Sequence, residues 1–287
     1  MRIPPYWTRG SYSSIDRNGR ETDQLAYGWS FESMEAAHAD AVARAKRLFE
    51  RVDSFESPDV YEYSEKPLRE EIYRQIVCDG EEIAVITRNR YGSLVLNTPS
   101  VCFVDIDFPY LGPRGLLDEI LLLFSRKRRE ARRQEAIDLT MSSVRIWIAR
   151  NNNRSFRLYR TAVGLRVLFT DRLYNPTSEE TVDLLAQLGS DPLYCRLTHN
   201  QECFRARLTP KPWRCGSERP RWQYPFVTEE REQEYRQWQR SYETNSSGYG
   251  VCELLEAQGP IPTDGPIATI VDIHDKYTCR NDGAKLA

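Results

Sequence analysis

Two aspartates that stand two residues apart, Asp105 and Asp107, are the part of the sequence best suited to chemistry. They interrupt the apolar stretch VCFVDIDFP at positions 101–109. Strand residues two apart point to the same face, so the pattern predicts two neighbouring carboxylates at the end of a buried strand. Such a pair repels itself unless a cation lies between the two groups. The sequence therefore predicts a site for Mg²⁺ or Mn²⁺, or alternatively a pair neutralised by nearby arginines.

A metal site of this kind usually takes a third acidic ligand from another strand. Asp171 follows an apolar stretch and is one candidate, and Asp272 or Asp275 in IVDIHD is another. The alternative is that each of these aspartates caps a turn. His274 and Asp275 also resemble the dyad of metal phosphohydrolases, but the chain's three histidines leave no set of additional ligands for that chemistry.

Basic residues on either side of the acidic strand could bind phosphate. In YRTAVGLRVLF, Thr161 and Gly164 break the strand pattern and let a ligand approach the backbone, where Arg160 and Arg166 could reach its phosphates. The alternative is a hairpin turn with two solvated arginines.

The preceding turn, in TRNRYGSLVLN, contains Arg88 and Arg90. We expect it one strand away from the acidic pair. There the two arginines either neutralise the carboxylates or bind phosphate.

The segment QECFRARLTPKPWR interleaves basic and aromatic residues. Such a pattern can follow a phosphate backbone while an aromatic ring stacks on a base. The candidate nucleic-acid-binding residues are Arg205, Arg207, Lys211, Trp213 and Arg214. The alternative places Trp213 in the core and pairs the arginines with buried acids.

Composition excludes several classes of protein. The 287 residues carry a net charge of −2, so the chain has no overall basic character that would indicate nucleic acid. No apolar run is long enough for a membrane helix, and MRIPPYWTRG lacks the apolar core of a secretory signal. The seven cysteines show no C-x₂-C spacing. We therefore expect a cytoplasmic protein with reduced thiols.

Hydrophobic periodicity and turn residues predict the order of the elements. The N-terminal part reads as two strands, a helix over 33–52 capped by Ser33, a loop over 53–58 and a helix over 67–78. Strands over 83–87 and 93–96 then lead into the acidic strand as an antiparallel meander. The remaining predictions are a helix over 115–138, strands over 144–150, 155–161 and 165–170, a helix from Ser178 to before Gly189, a strand over 203–208, a helix over 228–242 and a strand over 268–273.

This order predicts an α+β fold with a palm like that of an RRM or ferredoxin, built on a mixed or antiparallel sheet. The palm would occupy 81–215. An N-terminal strand-helix module at 1–80 and a C-terminal helix and strand at 216–287 would elaborate it, or the whole would form one continuous domain.

The motif FVDIDF, followed by the strand TAVGLRVLF, resembles the catalytic core of the archaeo-eukaryotic primase and primase-polymerase superfamily. The resemblance covers about residues 84–170. It implies an RRM-like palm, divalent metals held by Asp105 and Asp107, and nucleotidyl transfer. Where some members have a histidine, this chain has Arg166. The chain as a whole also resembles a bacterial protein family, which implies no function.

Two functions follow as hypotheses. In the first, the chain is a metal-dependent nucleotidyltransferase, or a nuclease, acting on nucleotides and DNA or RNA, with Asp105, Asp107 and Arg166 at its centre. In the second, it is a non-catalytic, arginine-rich module that binds nucleic acid or a protein partner.

Overall fold

The computed structural model describes residues 1–53, 67–113, 115, 125–279 and 284–287. The chain in these ranges is mixed α+β with antiparallel sheets, which confirms the predicted class. The strands are β1 Tyr6–Ile15, β2 Glu21–Ser30, β3 Glu71–Cys78, β4 Glu81–Arg88, β5 Leu94–Thr98, β6 Phe103–Asp107, β7 Phe156–Thr161, β8 Gly164–Phe169, β9 Phe204–Arg207, β10 Tyr249–Gly250, β11 Cys252–Gln258 and β12 Lys285–Leu286. The helices are α1 Met34–Asp53, α2 Arg126–Arg150, α3 Glu179–Gln187, α4 Pro192–Gln201, α5 Glu229–Ser246 and α6 Gly265–Thr278.

The first 53 residues form the predicted strand, turn, strand and helix. β1 and β2 pair antiparallel along their full length, and α1 packs against them through its small residues. A Cβ on Gly28 would lie 2.2 Å from the backbone nitrogen of Ala41, so only glycine permits this close approach. Ser33 Oγ accepts from the Ala36 amide at 3.1 Å and caps the helix as predicted. Most of the predicted loop over 53–58 lies outside the described residues.

One four-stranded antiparallel sheet has the order β3-β4-β5-β9. Its first strand corrects the prediction of a helix over 67–78. The segment EIYRQIVC suits either structure locally, but β4 offers a full row of backbone partners and Ile76 is buried against the core. Pairing with β4 therefore makes this segment a strand and not a helix.

A second four-stranded sheet has the order β11-β7-β8-β6. The predicted meander from β5 into β6 is therefore wrong, because β6 pairs with β8 and β5 with β4 and β9. Both β6 and β7 run antiparallel to β8, so they are parallel to each other with β8 between them. α2 lies between β6 and β7 in the chain.

Two further predictions of strands are wrong. Residues 144–150 belong to α2, in which buried Thr140, Val144 and Trp147 are four and three positions apart, as on one face of a helix. Residues 268–273 belong to α6. The edge strand β11 was not predicted. Of the predicted helix over 115–138, positions 116–124 lie outside the described residues.

The two four-stranded sheets share one buried core. Side chains such as Ile86 and Leu96 from the first sheet join Phe103, Leu158 and Leu168 from the second. β3 and β4 pair across the predicted boundary at residue 80. The division into 1–80, 81–215 and 216–287 stays a prediction.

Candidate functional site

The acidic pair lies at the C-terminal end of β6, an edge strand of the second sheet. In the register with β8, Asp105 stands opposite Arg166 and Asp107 opposite Gly164. Both aspartates lie on one face of the strand, as the spacing predicts. A Cβ on Gly164 would lie 2.2 Å from the Ile106 carbonyl oxygen, so this glycine lets the two strands approach each other at the site.

Arg166 is buried beneath Asp105. Its Nε lies 3.3 Å from Asp105 Oδ1, and the side chain is 4% exposed while that of Asp105 is 35% exposed. Its Nη1 donates to the Arg207 carbonyl oxygen at 3.0 Å and lies 3.3 Å from His274 Nε2. Arg166 therefore neutralises Asp105 from inside the protein and is not placed to meet a ligand directly.

A buried polar network continues from Arg166 to α6. His274 Nδ1 lies 3.0 Å from Asp275, whose carboxylate also accepts from Tyr159 at 2.6 Å and from Arg157 at 2.9 Å. Burial lowers the pKa of His274 to about 4, against the hydrogen bond with Asp275, so the ring is neutral at pH 7. Its Nδ1 then carries the proton toward Asp275, and its Nε2 accepts from Arg166. Asp275, a candidate third metal ligand, lies in this network.

Asp107 is exposed and has no ion-pair partner in the part of the chain that the structure describes. Desolvation raises its pKa, and the negative charges of Asp105 and Asp191 raise it further. Lys211 and Arg207 oppose that increase. Asp107 therefore lies among charges of both signs and makes a direct pair with none of them.

Three cations converge on the same end of β6. Arg207 ends β9, and Lys211 and Arg214 lie in the loop that follows it, with Arg214 at the end of the 3₁₀ turn Pro212–Arg214. Burial is the largest cause that lowers the pKa of each of the three side chains. The positive charges of Arg207 and Arg214 lower the pKa of Lys211 further. Within the described ranges, none of the three has a carboxylate at ion-pair distance. Such an arrangement suits an anion with several oxygens.

Asp191 is a neighbour that the sequence argument missed. Its amide donates to the Asp105 carbonyl oxygen at 3.1 Å, and Ser190 Oγ donates to the same oxygen at 2.9 Å. The Asp191 carboxylate accepts from the Leu193 and Tyr194 amides and caps α4. An aspartate directly before a proline at the first position of a helix is a recognisable capping pattern, but it gives no indication of which strand the cap will meet.

The remaining candidates for a third metal ligand lie elsewhere. Asp171 lies two positions past the end of β8, five beyond Arg166, and pairs with Arg154 at 2.7 Å. Asp272 pairs with Lys276 on the exposed side of α6. Among the described residues, no three histidine, cysteine or acidic side chains are grouped so that they could hold a metal ion.

The predicted phosphate-binding arginines are dispersed. Arg88 lies in the first sheet and not next to β6; it is buried and contacts the Gly92 carbonyl oxygen and Glu243. Arg90 is exposed in the turn after β4. Arg160 pairs in register with Leu165, one position from Arg166, so it points to the opposite face of the sheet.

Thr161 ends β7 opposite Cys252 of β11, an edge of the sheet away from the acidic pair. Among the predicted nucleic-acid-binding residues, Arg205 is buried against Glu70, with its Nη2 at 2.8 and 2.9 Å from the two carboxylate oxygens. The structure thus brings together Asp105, Asp107, Arg166, Arg207, Lys211 and Arg214.

Comparisons with protein-family models, curated proteins and solved structures give no significant match to this chain. In the described ranges, no helix combines the length and apolar character needed to cross a bilayer.

Proposed function

We propose that this chain binds a nucleotide or nucleic acid at the C-terminal end of β6 and carries out divalent-metal-dependent phosphoryl chemistry there, with nucleotidyl transfer as the preferred reaction. One observation carries the proposal. Exposed Asp107 lies among Arg207, Lys211 and Arg214, and none of these three cations has a carboxylate partner among the described residues. A phosphate group would satisfy the cations, and a divalent ion would relieve the repulsion between the two aspartates.

The residues present fit a magnesium or manganese ion in a particular way. Mg²⁺ is commonly held by one or two carboxylates, with waters and substrate phosphates in its other positions. Asp105 and Asp107 would supply the two carboxylates, so a third protein ligand is not required. A bound ion would neutralise charge that develops on the transferring phosphoryl group. Arg207, Lys211 and Arg214 would hold the phosphate oxygens and add to that stabilisation.

The topology supports a ferredoxin-like palm as part of this proposal. A split β-α-β unit, with β8 inserted between parallel β6 and β7, is a feature of such folds. The strand that follows the next helices, β9, pairs with β5 instead of completing the same sheet. The primase-like interpretation rests on this topology and on the acidic motif. Because Arg166 is buried, contact with a nucleotide falls to the cations of β9 and its following loop.

The second candidate is a binding module without catalysis. The observation that favours it is the ion pair between Arg166 and Asp105, which neutralises one of the two aspartates within the protein. In that case Asp105 is structural, and a divalent ion has no role.

Thermal unfolding with and without Mn²⁺ separates the two candidates. An ion at 100 times its Kd stabilises the folded state by about 2.7 kcal/mol. For a chain of this size that corresponds to a rise in Tm of about 5 °C. We expect Asp107→Asn to lose the rise and Asp272→Asn to keep it, because Asp272 is paired on the surface of α6. No rise in the wild type would favour the binding module.

The reaction is tested with end-labelled single-stranded and primed oligonucleotides, Mn²⁺, and all NTPs and dNTPs. The wild type is compared with the Asp105→Ala/Asp107→Ala double variant and with Asp272→Asn. Extension that only the double variant loses would establish nucleotidyl transfer, and shortening that only the double variant loses would establish a nuclease. Identical results for all three proteins would reject the catalytic proposal.

A further inference from the structure

An exposed aromatic patch includes Trp213, which lies between Lys211 and Arg214 of the candidate site in the loop that follows β9. Trp213 is 42% exposed, and the ring of Tyr91 meets it edge-on, with centroids 5.3 Å apart and planes at 88°. Arg219 lies over both rings, at 4.6 Å from the Trp213 centroid and 5.3 Å from that of Tyr91. Tyr91 belongs to the turn after β4, so two distant parts of the chain build the patch.

Cations surround these rings. Arg90 lies 4.7 Å from the Tyr91 centroid, and the Lys211 amine lies 5.7 Å from that of Trp213. Arg90, Lys211 and Arg219 make no ion pair with a carboxylate in the described part of the chain. We call Arg90, Tyr91, Lys211, Trp213 and Arg219 the Trp213 patch. It combines accessible ring area with three cations that make no ion pair among the described residues.

The Trp213 patch is continuous with the candidate site. Lys211 and Arg214 lie on either side of Trp213 in the sequence. The negative charge of Asp107 interacts with both cations and opposes the lowering of their pKa values by burial. A polymer whose phosphate reaches Asp107 and Arg214 would therefore place a neighbouring nucleotide near Trp213.

A comparison with Trp222 shows that the patch is not simply one more arginine-covered tryptophan. Trp222 also has two arginines over its ring, Arg221 at 4.8 Å and Arg231 at 4.3 Å. Its indole nitrogen, however, donates to Glu234 of α5 at 2.7 Å, which gives the ring a structural role. The Trp213 indole makes no such hydrogen bond within the described residues.

We propose that the Trp213 patch binds single-stranded nucleic acid, with an unpaired base stacked on Trp213 and the flanking phosphates held by Lys211 and Arg219. This inference rests on the proposed function and adds the strandedness of the substrate to it. Stacking on an aromatic side chain requires a base that is free of its neighbours, which a duplex does not offer. Cations near the ring then hold the backbone without reading the sequence.

The test measures binding by fluorescence anisotropy in EDTA, where no metal-dependent reaction occurs. The probes are a labelled 15-nucleotide oligo(dT), an abasic strand of equal length, and a 15-base-pair duplex. We expect the wild type to bind oligo(dT) most tightly. Trp213→Ala should weaken that binding about 10- to 100-fold and abolish the preference over the abasic strand. Trp213→Phe keeps a ring and should retain most of the affinity.

Trp222→Ala is the matched control and should leave both the affinity and the preference for oligo(dT) unchanged. Equal binding of oligo(dT) and the abasic strand by the wild type, tighter binding of the duplex, or full affinity in Trp213→Ala would each overturn the inference. Metal-dependent activity without stacking would leave the proposed function intact and remove only the patch. Stacking without metal-dependent activity would support the Trp213 patch and reject the proposed catalysis.

Discussion

Replacing Glu70 with glutamine should destabilise the fold by about 3–5 kcal/mol, because it leaves the Arg205 guanidinium buried without a counter-ion. The two side chains are 9% and 14% exposed, and the Thr87 hydroxyl donates to the same carboxylate. Glu70→Gln preserves the shape of the side chain and one acceptor oxygen, so the loss measures the charge together with the one acceptor oxygen that the amide NH2 replaces. At about 2 °C for each kcal/mol in a chain of this size, Tm should fall by about 6–10 °C.

Urea unfolding followed by circular dichroism measures this loss in Glu70→Gln, in Arg205→Met and in the Glu70→Leu/Arg205→Met double variant. The double variant removes both charges, so we expect it to recover most of the stability lost by either single variant. Two results would refute the reasoning. One is a loss below about 1 kcal/mol in both single variants. The other is an Arg205→Met protein of normal stability that no longer binds oligonucleotides, which would make Arg205 a ligand-binding residue.

Two further predictions concern the strands and the network around the acidic pair. Gly164→Ala should lower Tm sharply, because the new Cβ would lie 2.2 Å from the Ile106 carbonyl oxygen and force β6 and β8 apart. Gly248→Ala is the control and should change Tm little, because a Cβ there meets nothing within 4 Å. Stability should also decline as pH falls from about 6.5 toward 4. Over this range His274 is protonated in the unfolded state and stays neutral in the folded state, where it is buried. The decline attributable to this residue is about 3 kcal/mol, and urea unfolding at pH 7, 5.5 and 4.5 should show a shallower dependence in His274→Gln. An unchanged dependence would mean that folding does not lower the pKa of His274.

The sequence was sufficient where local pattern and local packing coincide. The spacing of Asp105 and Asp107 placed both carboxylates on one face, because strand side chains alternate whatever the neighbouring strands are. The N-terminal hairpin and α1 followed from alternation, turn residues and the Ser33 cap, since the three elements pack mainly on one another.

Local pattern failed where a segment suits two structures. The segment IATIVDIH of α6 is rich in β-branched residues and reads as a strand, yet Ile267, Ile270, Val271, His274 and Thr278 fall on one helical face and are buried. The segment before β4 reads as a helix and became β3 because a strand partner was available. In both cases contacts with other elements decided between helix and strand, and the local sequence does not specify those contacts.

For the candidate site too, the sequence determined one part of the chemistry and the tertiary structure the other. The sequence alone determined that two carboxylates would emerge together and that cations would follow β9. Only the tertiary structure decided that Arg166 is buried under Asp105, that Arg205 belongs to Glu70, and that Lys211 converges on Asp107. The physical reason is distance: charges act over a few ångströms, and residues 61 to 135 positions apart reach that separation only when the sheets and helices pack.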